Sequence, residues 1–80
     1  MIKSILQTND LPPEDSKVVH VFEDLDYGMC EVSSFIGDGS PSDVIRAVDT
    51  LRTLSKGFDY VYIEGFTKRA DGAYQVILGS

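Results

Sequence analysis

The sequence predicts an α+β fold: a single antiparallel sheet of four or five strands with one helix packed on one face, in the order (β)ββαββ. A central segment repeats apolar residues at three- and four-residue intervals, which is the spacing of a helix that buries one face. The segments on both sides are rich in β-branched and aromatic residues and are joined by short turns, which is typical of β-hairpins. Since the chain has 80 residues, of which 42% are hydrophobic, it has room for one core and a single domain, residues 1–80.

The chain opens with a short apolar stretch and a proline-containing connection. Residues 2–7 are too few for periodicity to distinguish a strand from a helical turn, and we interpret them as an edge strand. Residues 11–16 contain two consecutive prolines, which cannot donate backbone hydrogen bonds and disrupt a helix interior. We therefore expect an exposed connection at this point.

The first predicted hairpin follows this connection. Residues 17–23 and 29–36 are dominated by apolar and β-branched side chains, and the short acidic loop 24–28 separates them. Because so short a loop can join only antiparallel neighbours, we expect these two strands to pair with each other.

The predicted helix covers residues 41–56. Ser40 can cap the first free N–H groups, and Asp43, three residues later, can reach back to the cap. Gly57 suits the left-handed position that ends many helices. The predicted buried stripe consists of Val44, Ala47, Val48, Leu51 and Leu54.

The second predicted hairpin joins residues 59–68 to residues 73–78. The pair Asp71-Gly72 suits a two-residue type I′ turn, which would place Thr67 opposite Val76 and Gly65 opposite Leu78. One face of this hairpin, on which we expect the helix to pack, would then carry Val61, Ile63, Val76 and Leu78. The other face would carry Tyr60, Tyr62, Glu64, Phe66, Lys68 and Ile77.

Negative charge is concentrated in the first half of the chain. The sequence has 13 acidic and 7 basic residues, a net charge of -6, and residues 10–43 hold nine acidic residues against Lys17 alone. This balance argues against direct binding of nucleic acid, which depends on Lys and Arg. Either the carboxylates only keep the protein soluble, or they form a surface for a basic partner. In a strand, Asp24 and Asp26 would stand about 6.6 Å apart and could imitate successive phosphates.

Besides the uneven distribution of charge, the predicted fold has one sheet face that a single helix leaves uncovered. In the predicted register this face carries Tyr60, Tyr62 and Phe66, with Phe22, His20 or Phe35 as further candidates from the first hairpin. Three or more large rings on one surface are typical of an interface. Alternatively, the tyrosine hydroxyls keep the face wettable, or the N-terminal segment covers it.

No motif in the sequence indicates catalysis, a cofactor or a metal. The single Cys30 forbids an internal disulfide, and one Cys with one His cannot complete a zinc site. Cys30 and His20 lie on strands predicted to pair, but no third residue is available to orient them. The loop 37–40 precedes the helix without the lysine of a phosphate-binding loop, and Asp24, Asp26 and Glu31 do not match a calcium-binding loop.

These observations predict a small acidic protein-binding module and not an enzyme. We expect an inhibitor or modulator, for example a phage or mobile-element anti-defence protein, that occupies a basic, nucleic-acid-binding surface of its partner. The alternative is a homo-oligomeric structural or small-ligand-binding domain assembled through the aromatic sheet face. No segment has the length of a membrane span, and we expect a cytoplasmic location. The residues predicted to contact the partner are Glu23, Asp24, Asp26, Glu31, Tyr60, Tyr62 and Phe66.

Overall fold

The computed structural model describes residues 1–6 and 11–80, and within these residues it contains five strands and one helix. Gln7, the end of the first predicted strand, and Asp10, part of the acidic stretch, lie outside the described residues. The elements are β1 (Ser4–Ile5), β2 (Lys17–Asp24), β3 (Gly28–Phe35), α1 (Pro41–Leu54), β4 (Tyr62–Lys68) and β5 (Tyr74–Gly79).

The five strands form one mixed sheet in the order β1-β4-β5-β2-β3. The α+β class with a single helix is confirmed, as are the antiparallel pairs β2–β3 and β4–β5. The prediction of a wholly antiparallel sheet is wrong, because β1 lies parallel to β4 and β2 lies parallel to β5. The helix carries the chain from the edge strand β3 across the sheet, so that β5 returns beside β2 in the same direction as β2. Strands β1 and β3 form the two edges.

The start of α1 is tied to the loop that precedes it. The Ser40 side chain accepts a hydrogen bond from the backbone N–H of Asp43 at 3.3 Å, as the capping pattern predicts. The carboxylate of Asp43 reaches further back than predicted: it accepts the N–H of Gly37 and, at 3.0 Å, that of Asp38. The Ser40 N–H is satisfied by Asp38 instead, at 2.9 Å. Arg46 also donates to the Asp43 carboxylate.

The helix ends in a Schellman motif. The N–H of Gly57 donates to the carbonyl of Arg52 at 2.9 Å, and the N–H of Lys56 donates to the carbonyl of Thr53 at 3.1 Å. The left-handed residue is Lys56, with φ 57°, and not Gly57 as predicted. The motif therefore begins one residue earlier than the glycine suggests, and α1 is two residues shorter than the predicted helix.

The core lies between α1 and one face of the sheet. Its buried members are Ile2, Val18, Ile36, Val44, Ala47, Val48, Leu51, Ile63 and Val76. Leu78 is partly buried against them, as predicted. The predicted contributions of Leu54 and Val61 are wrong: Leu54 occupies the last helical turn with 57% of its surface exposed, and Val61 precedes β4 outside this cluster.

The second hairpin has a different register from the predicted one. Thr67 pairs with Gln75 and not with Val76, because the N–H of Arg69 donates to the carbonyl of Ala73 at 2.7 Å and closes a turn of three residues, 70–72. Of these three residues only Gly72 is left-handed, with φ 89°. A bulge at Glu64 then places Ile63 opposite Leu78.

These register changes divide the predicted aromatic face. Phe66 pairs with Val76 and packs against the core beneath the helix, so its predicted place on the opposite face is wrong. His20 and Phe22 share the helix side with Val18, since alternate residues of β2 point the same way. We call the other side, on which the helix does not pack, the uncovered face; it carries Val21, Phe35, Tyr62 and Ile77, and also Val19, which is buried there.

Leu51→Ala should lower the free energy of unfolding by about 2 to 4 kcal/mol, because Leu51 is fully buried and its loss leaves a cavity under the helix. The matched control is Leu54→Ala, which removes the same atoms from an exposed position and should cost less than about 1 kcal/mol. Chemical denaturation of both variants measures the difference. Equal losses would show that the helix is rotated relative to this structure.

Asp43→Ala should destabilise the protein more than Ser40→Ala, for which a cap loss of about 1 kcal/mol is expected. The reason is that Asp43 satisfies two loop N–H groups as well as Arg46. The ion pair with Arg46, together with those N–H groups, holds the pKa of Asp43 below its ordinary value of 3.8.

A group with a lowered pKa stabilises the fold above its ordinary value and loses that effect as the pH falls through the folded value. The difference in free energy of unfolding between wild type and Asp43→Ala, measured from denaturation curves, should therefore be constant near neutral pH and become smaller below pH 3.8. A smaller loss of unfolding free energy in Asp43→Ala than in Ser40→Ala at neutral pH would contradict this role of Asp43.

Candidate partner-binding site

The turn between β2 and β3 is held by one of the predicted acidic residues. The carboxylate of Asp24 accepts the backbone N–H groups of Asp26 at 2.8 Å and of Tyr27 at 3.1 Å. Asp24 and Asp26 therefore do not alternate along an extended strand. The predicted imitation of phosphates by strand spacing is wrong for this pair, although Asp26 and the neighbouring Glu23 are exposed.

Large apolar side chains are exposed at the same turn. Leu25 is fully exposed, Tyr27 is 83% exposed and Met29, at the start of β3, is 68% exposed. None of the three contributes to the core. Apolar residues grouped at one hairpin tip among carboxylates are more typical of a contact surface than of a turn selected only for solubility.

A cleft of about 720 Å³ lies beside this turn, between β2, the end of α1 and the loop that leads to β4. It brings together residues that are 40 positions apart in the sequence. The residues that line it include His20, Phe22, Glu23, Lys56, Asp59 and Tyr60. We call the turn and the cleft rim together the turn end, which comprises Glu23, Asp24, Leu25, Asp26, Tyr27, Met29 and Asp59.

His20 is the most buried polar group of the cleft. The residue is 7% exposed, and its Nε2 has no hydrogen-bond partner. Its ring stacks on Phe22 with 5.7 Å between centroids and meets Tyr60 edge to face at 6.1 Å. Burial lowers the pKa of His20 below its ordinary value of 6.5, so the imidazole is neutral at pH 7.

Tyr60 is placed by the end of the helix. Its N–H donates to the carbonyl of Gly57 at 3.1 Å. A Cβ at position 57 would lie 2.8 Å from the Tyr60 ring, so only glycine allows this close approach. The Schellman motif that ends α1 thus also sets one wall of the cleft.

The arginines of the described chain pair with carboxylates outside the turn end. The ion pairs are Arg46 with Asp43, Arg52 with Asp49, and Arg69 with both Glu31 and Asp71. None of the four carboxylates of the turn end takes part in them. Among the residues of the turn and the cleft, Lys56 is the only basic one.

The structure brings some of the predicted contact residues together and separates others. Glu23 and Tyr60 line the cleft, and Asp24 and Asp26 lie in the adjacent turn. Glu31 lies apart on the uncovered face, where its carboxylate is 2.5 Å from Arg69 at the end of β4.

The other two aromatic candidates do not join this group. Tyr62 is half-buried on the uncovered face opposite Ser4 and Gly79. Phe66 packs against the core. Sequence reasoning missed Lys56 and Asp59, which only the chain reversal after α1 brings to the cleft. Leu25 and Tyr27 could have been found, because large apolar residues are unusual in an acidic turn.

The structure does not place Cys30 directly opposite His20 in the β2–β3 pair. Cys30 lies opposite Phe22, whereas His20 lies opposite Val32, and the Cys30 thiol contacts the carbonyl of Gly28 at 3.6 Å. No three His, Cys, Asp or Glu side chains within residues 1–6 and 11–80 are grouped as metal ligands. The single helix in this part of the chain is too short and too polar to cross a bilayer.

Comparisons with protein-family models, with curated proteins and with solved structures found no match to this chain.

Protonation of His20 should destabilise the protein in mildly acidic solution. Since the folded pKa lies below 6.5, the unfolded chain binds the proton first, and the free energy of unfolding should fall as the pH drops from 7 toward 5. His20→Gln should abolish this slope while leaving the acid transition of the paired aspartates below pH 4. Denaturation at each pH, with an NMR titration of the ring, measures both. A folded pKa at or above 6.5 would contradict the burial described above.

Proposed function

We propose that the chain is a protein-binding module that inhibits or modulates a basic, nucleic-acid-handling partner, and that the turn end is its contact surface. The observation that carries the proposal is the distribution of ion pairs. Arg46, Arg52 and Arg69 pair with other carboxylates, and the four carboxylates of the turn end form no ion pair in the described chain. Some acidic residues elsewhere, such as Glu14 and Glu64, are unpaired as well, but those of the turn end lie together with the exposed side chains of Leu25, Tyr27 and Met29. A basic protein can supply the missing charge.

Charge at this end would act mainly on the rate of association. Complementary charges steer encounter and are screened over about 8 Å at physiological ionic strength. Glu23, Asp26 and Asp59 are exposed, so their carboxylates stay hydrated until the partner makes contact. Binding should accordingly weaken as salt concentration rises.

The apolar side chains of the same surface would provide the short-range part of the interaction. Leu25, Tyr27 and Met29 are already exposed in the free protein, so binding would remove apolar area from water without unfolding anything. A surface that combines carboxylates with exposed rings is suited to a groove that normally holds nucleic acid. An anti-defence protein of a phage or mobile element is one protein of this kind.

Self-association through the uncovered face is a second candidate. Phe35, opposite Lys17, is 70% exposed on this face, and Ile77 is exposed further along it, level with Val21 and two residues from Gly79, which pairs with Tyr62. Light scattering over a range of protein concentrations tests this candidate directly. A mass that doubles with concentration, and that Phe35→Glu returns to the monomer value, would support it.

The double variant Glu23→Lys/Asp26→Lys should slow association with the basic partner about tenfold or more, because it reverses two exposed charges of the turn end. It leaves Asp24, which holds the turn, unchanged. The matched control is Glu14→Lys/Glu64→Lys, which makes the same change in net charge at exposed residues elsewhere.

Capture from lysate at low and high salt identifies the partner, and surface plasmon resonance with the purified partner then gives the rates. Recovery of one basic protein by wild type and control, and its loss by the turn-end variant, is the expected outcome. If both double variants slow association equally, the acidic residues serve solubility and the proposal fails.

A further inference from the structure

The unpartnered nitrogen of His20 is the starting point for a more specific assignment. Nε2 belongs to a side chain that is 7% exposed, and it makes no hydrogen bond within the described chain. Such atoms are rare in folded proteins, because a buried polar group without a partner destabilises the fold. In the neutral tautomer that carries its hydrogen on Nδ1, Nε2 is an acceptor, and the partner that it lacks in this tautomer is a hydrogen-bond donor.

The walls around this nitrogen are aromatic. Phe22 stacks on the imidazole at 5.7 Å, and Tyr60 stands at right angles to it at 6.1 Å. Aromatic faces attract cations, and they do so more strongly where water is excluded. Tyr60 is the more exposed of the two rings, at 37%, and lies outside the sheet, so we expect a ligand to approach the imidazole from the Tyr60 side.

The rim of the cleft favours a positive ligand. Of the residues that line the cleft, Glu23 and Asp59 are acidic and Lys56 is basic. The volume of about 720 Å³ is ample for one long side chain. A ligand for this cleft must therefore carry positive charge, donate hydrogen bonds and stack on rings.

We propose that the cleft receives an arginine side chain of the basic partner, whose guanidinium stacks against Tyr60, donates one N–H to Nε2 of His20 and is attracted by the acidic residues Glu23 and Asp59 at the rim. Arginine fits better than lysine because its guanidinium is planar, weakly hydrated and able to donate in several directions at once. The assignment rests on the proposed function in that it names the group by which the basic partner is recognised.

The test uses N-acetyl-L-arginine amide as the probe and the complete ¹⁵N-labelled chain as the receptor. Titration followed by NMR should give saturable shifts at His20 and Tyr60. The lysine amide should bind several-fold more weakly, and the uncharged citrulline amide should give no saturable shift. Equal binding of the lysine probe, or shifts confined to the exposed turn without His20, would overturn the assignment.

Two variants distinguish binding of the arginine probe in the cleft from nonspecific attraction of the probe to acidic residues. Glu23→Gln/Asp59→Asn should weaken binding of the arginine probe about tenfold, since it removes both carboxylates from the rim. The control Glu14→Gln/Glu64→Gln removes the same charge elsewhere and should leave binding unchanged. Both pairs are exposed, so folding is expected to be retained, and the NMR spectra report it. An equal loss in both variants would overturn the assignment.

The outcome also distinguishes this inference from the proposed function. If the probe does not bind but Glu23→Lys/Asp26→Lys still abolishes partner capture, the arginine site is refuted and the contact surface stands. If the probe binds at His20 but the same variant leaves partner capture intact, the turn end is not the contact surface, and the cleft recognises a guanidinium group independently of it.

Discussion

The Asp43 carboxylate fixes the junction between β3 and α1, and the rest of the fold depends on where that junction lies. By accepting the N–H groups of Gly37 and Asp38, it holds the chain in a tight reversal just before the first helical turn. The helix then crosses the sheet on one side only, with Val44, Val48 and Leu51 directed at the strands. The position of β4, and therefore the parallel pairing of β5 with β2, follows from that crossing.

The two ends of the same helix have different consequences for the surface. At its start, Asp43 is satisfied by backbone groups and by Arg46, so its charge is used within the fold. At its end, the reversal through Lys56 and Gly57 brings Tyr60 onto His20 and leaves Asp59 at the rim of a cleft. The carboxylate of Asp43, at the start of the helix, is thus paired within the fold, whereas that of Asp59, beyond its end, forms no ion pair in the described chain.

Much of the secondary structure could be predicted because its signals are local. The cap at Ser40, the apolar repeat of α1 and the lengths of β2 and β3 are all readable within about a dozen residues. The mixed pairing of the sheet was not predictable in this way, since the sequence of β5 does not indicate whether its neighbour is β2 or β1. The bulge at Glu64 was equally hidden, and it moved Phe66 from the predicted surface to the core.

The candidate site was predictable only in part, for the same reason. Glu23, Asp24 and Asp26 could be recognised because they cluster in the sequence. The cleft could not be recognised, because His20 and Tyr60 come into contact only through the chain reversal that follows the helix. The geometry of that reversal was also mispredicted, since Gly57 was expected to be the left-handed residue and Lys56 is. The unsatisfied Nε2 of His20 is a property of packing, which no spacing of residues in the sequence reveals.

The edge position of β3 has a consequence for the colloidal behaviour of the protein. Its eight residues, Gly28–Phe35, contain no proline and pair with β2 without a bulge, so the outer row of backbone groups is a template for further strands. What opposes stacking of copies along this edge is the repulsion between molecules of net charge -6. The acidity of the chain therefore also opposes self-association through this edge, and that effect is lost in acidic solution as the carboxylates become neutral.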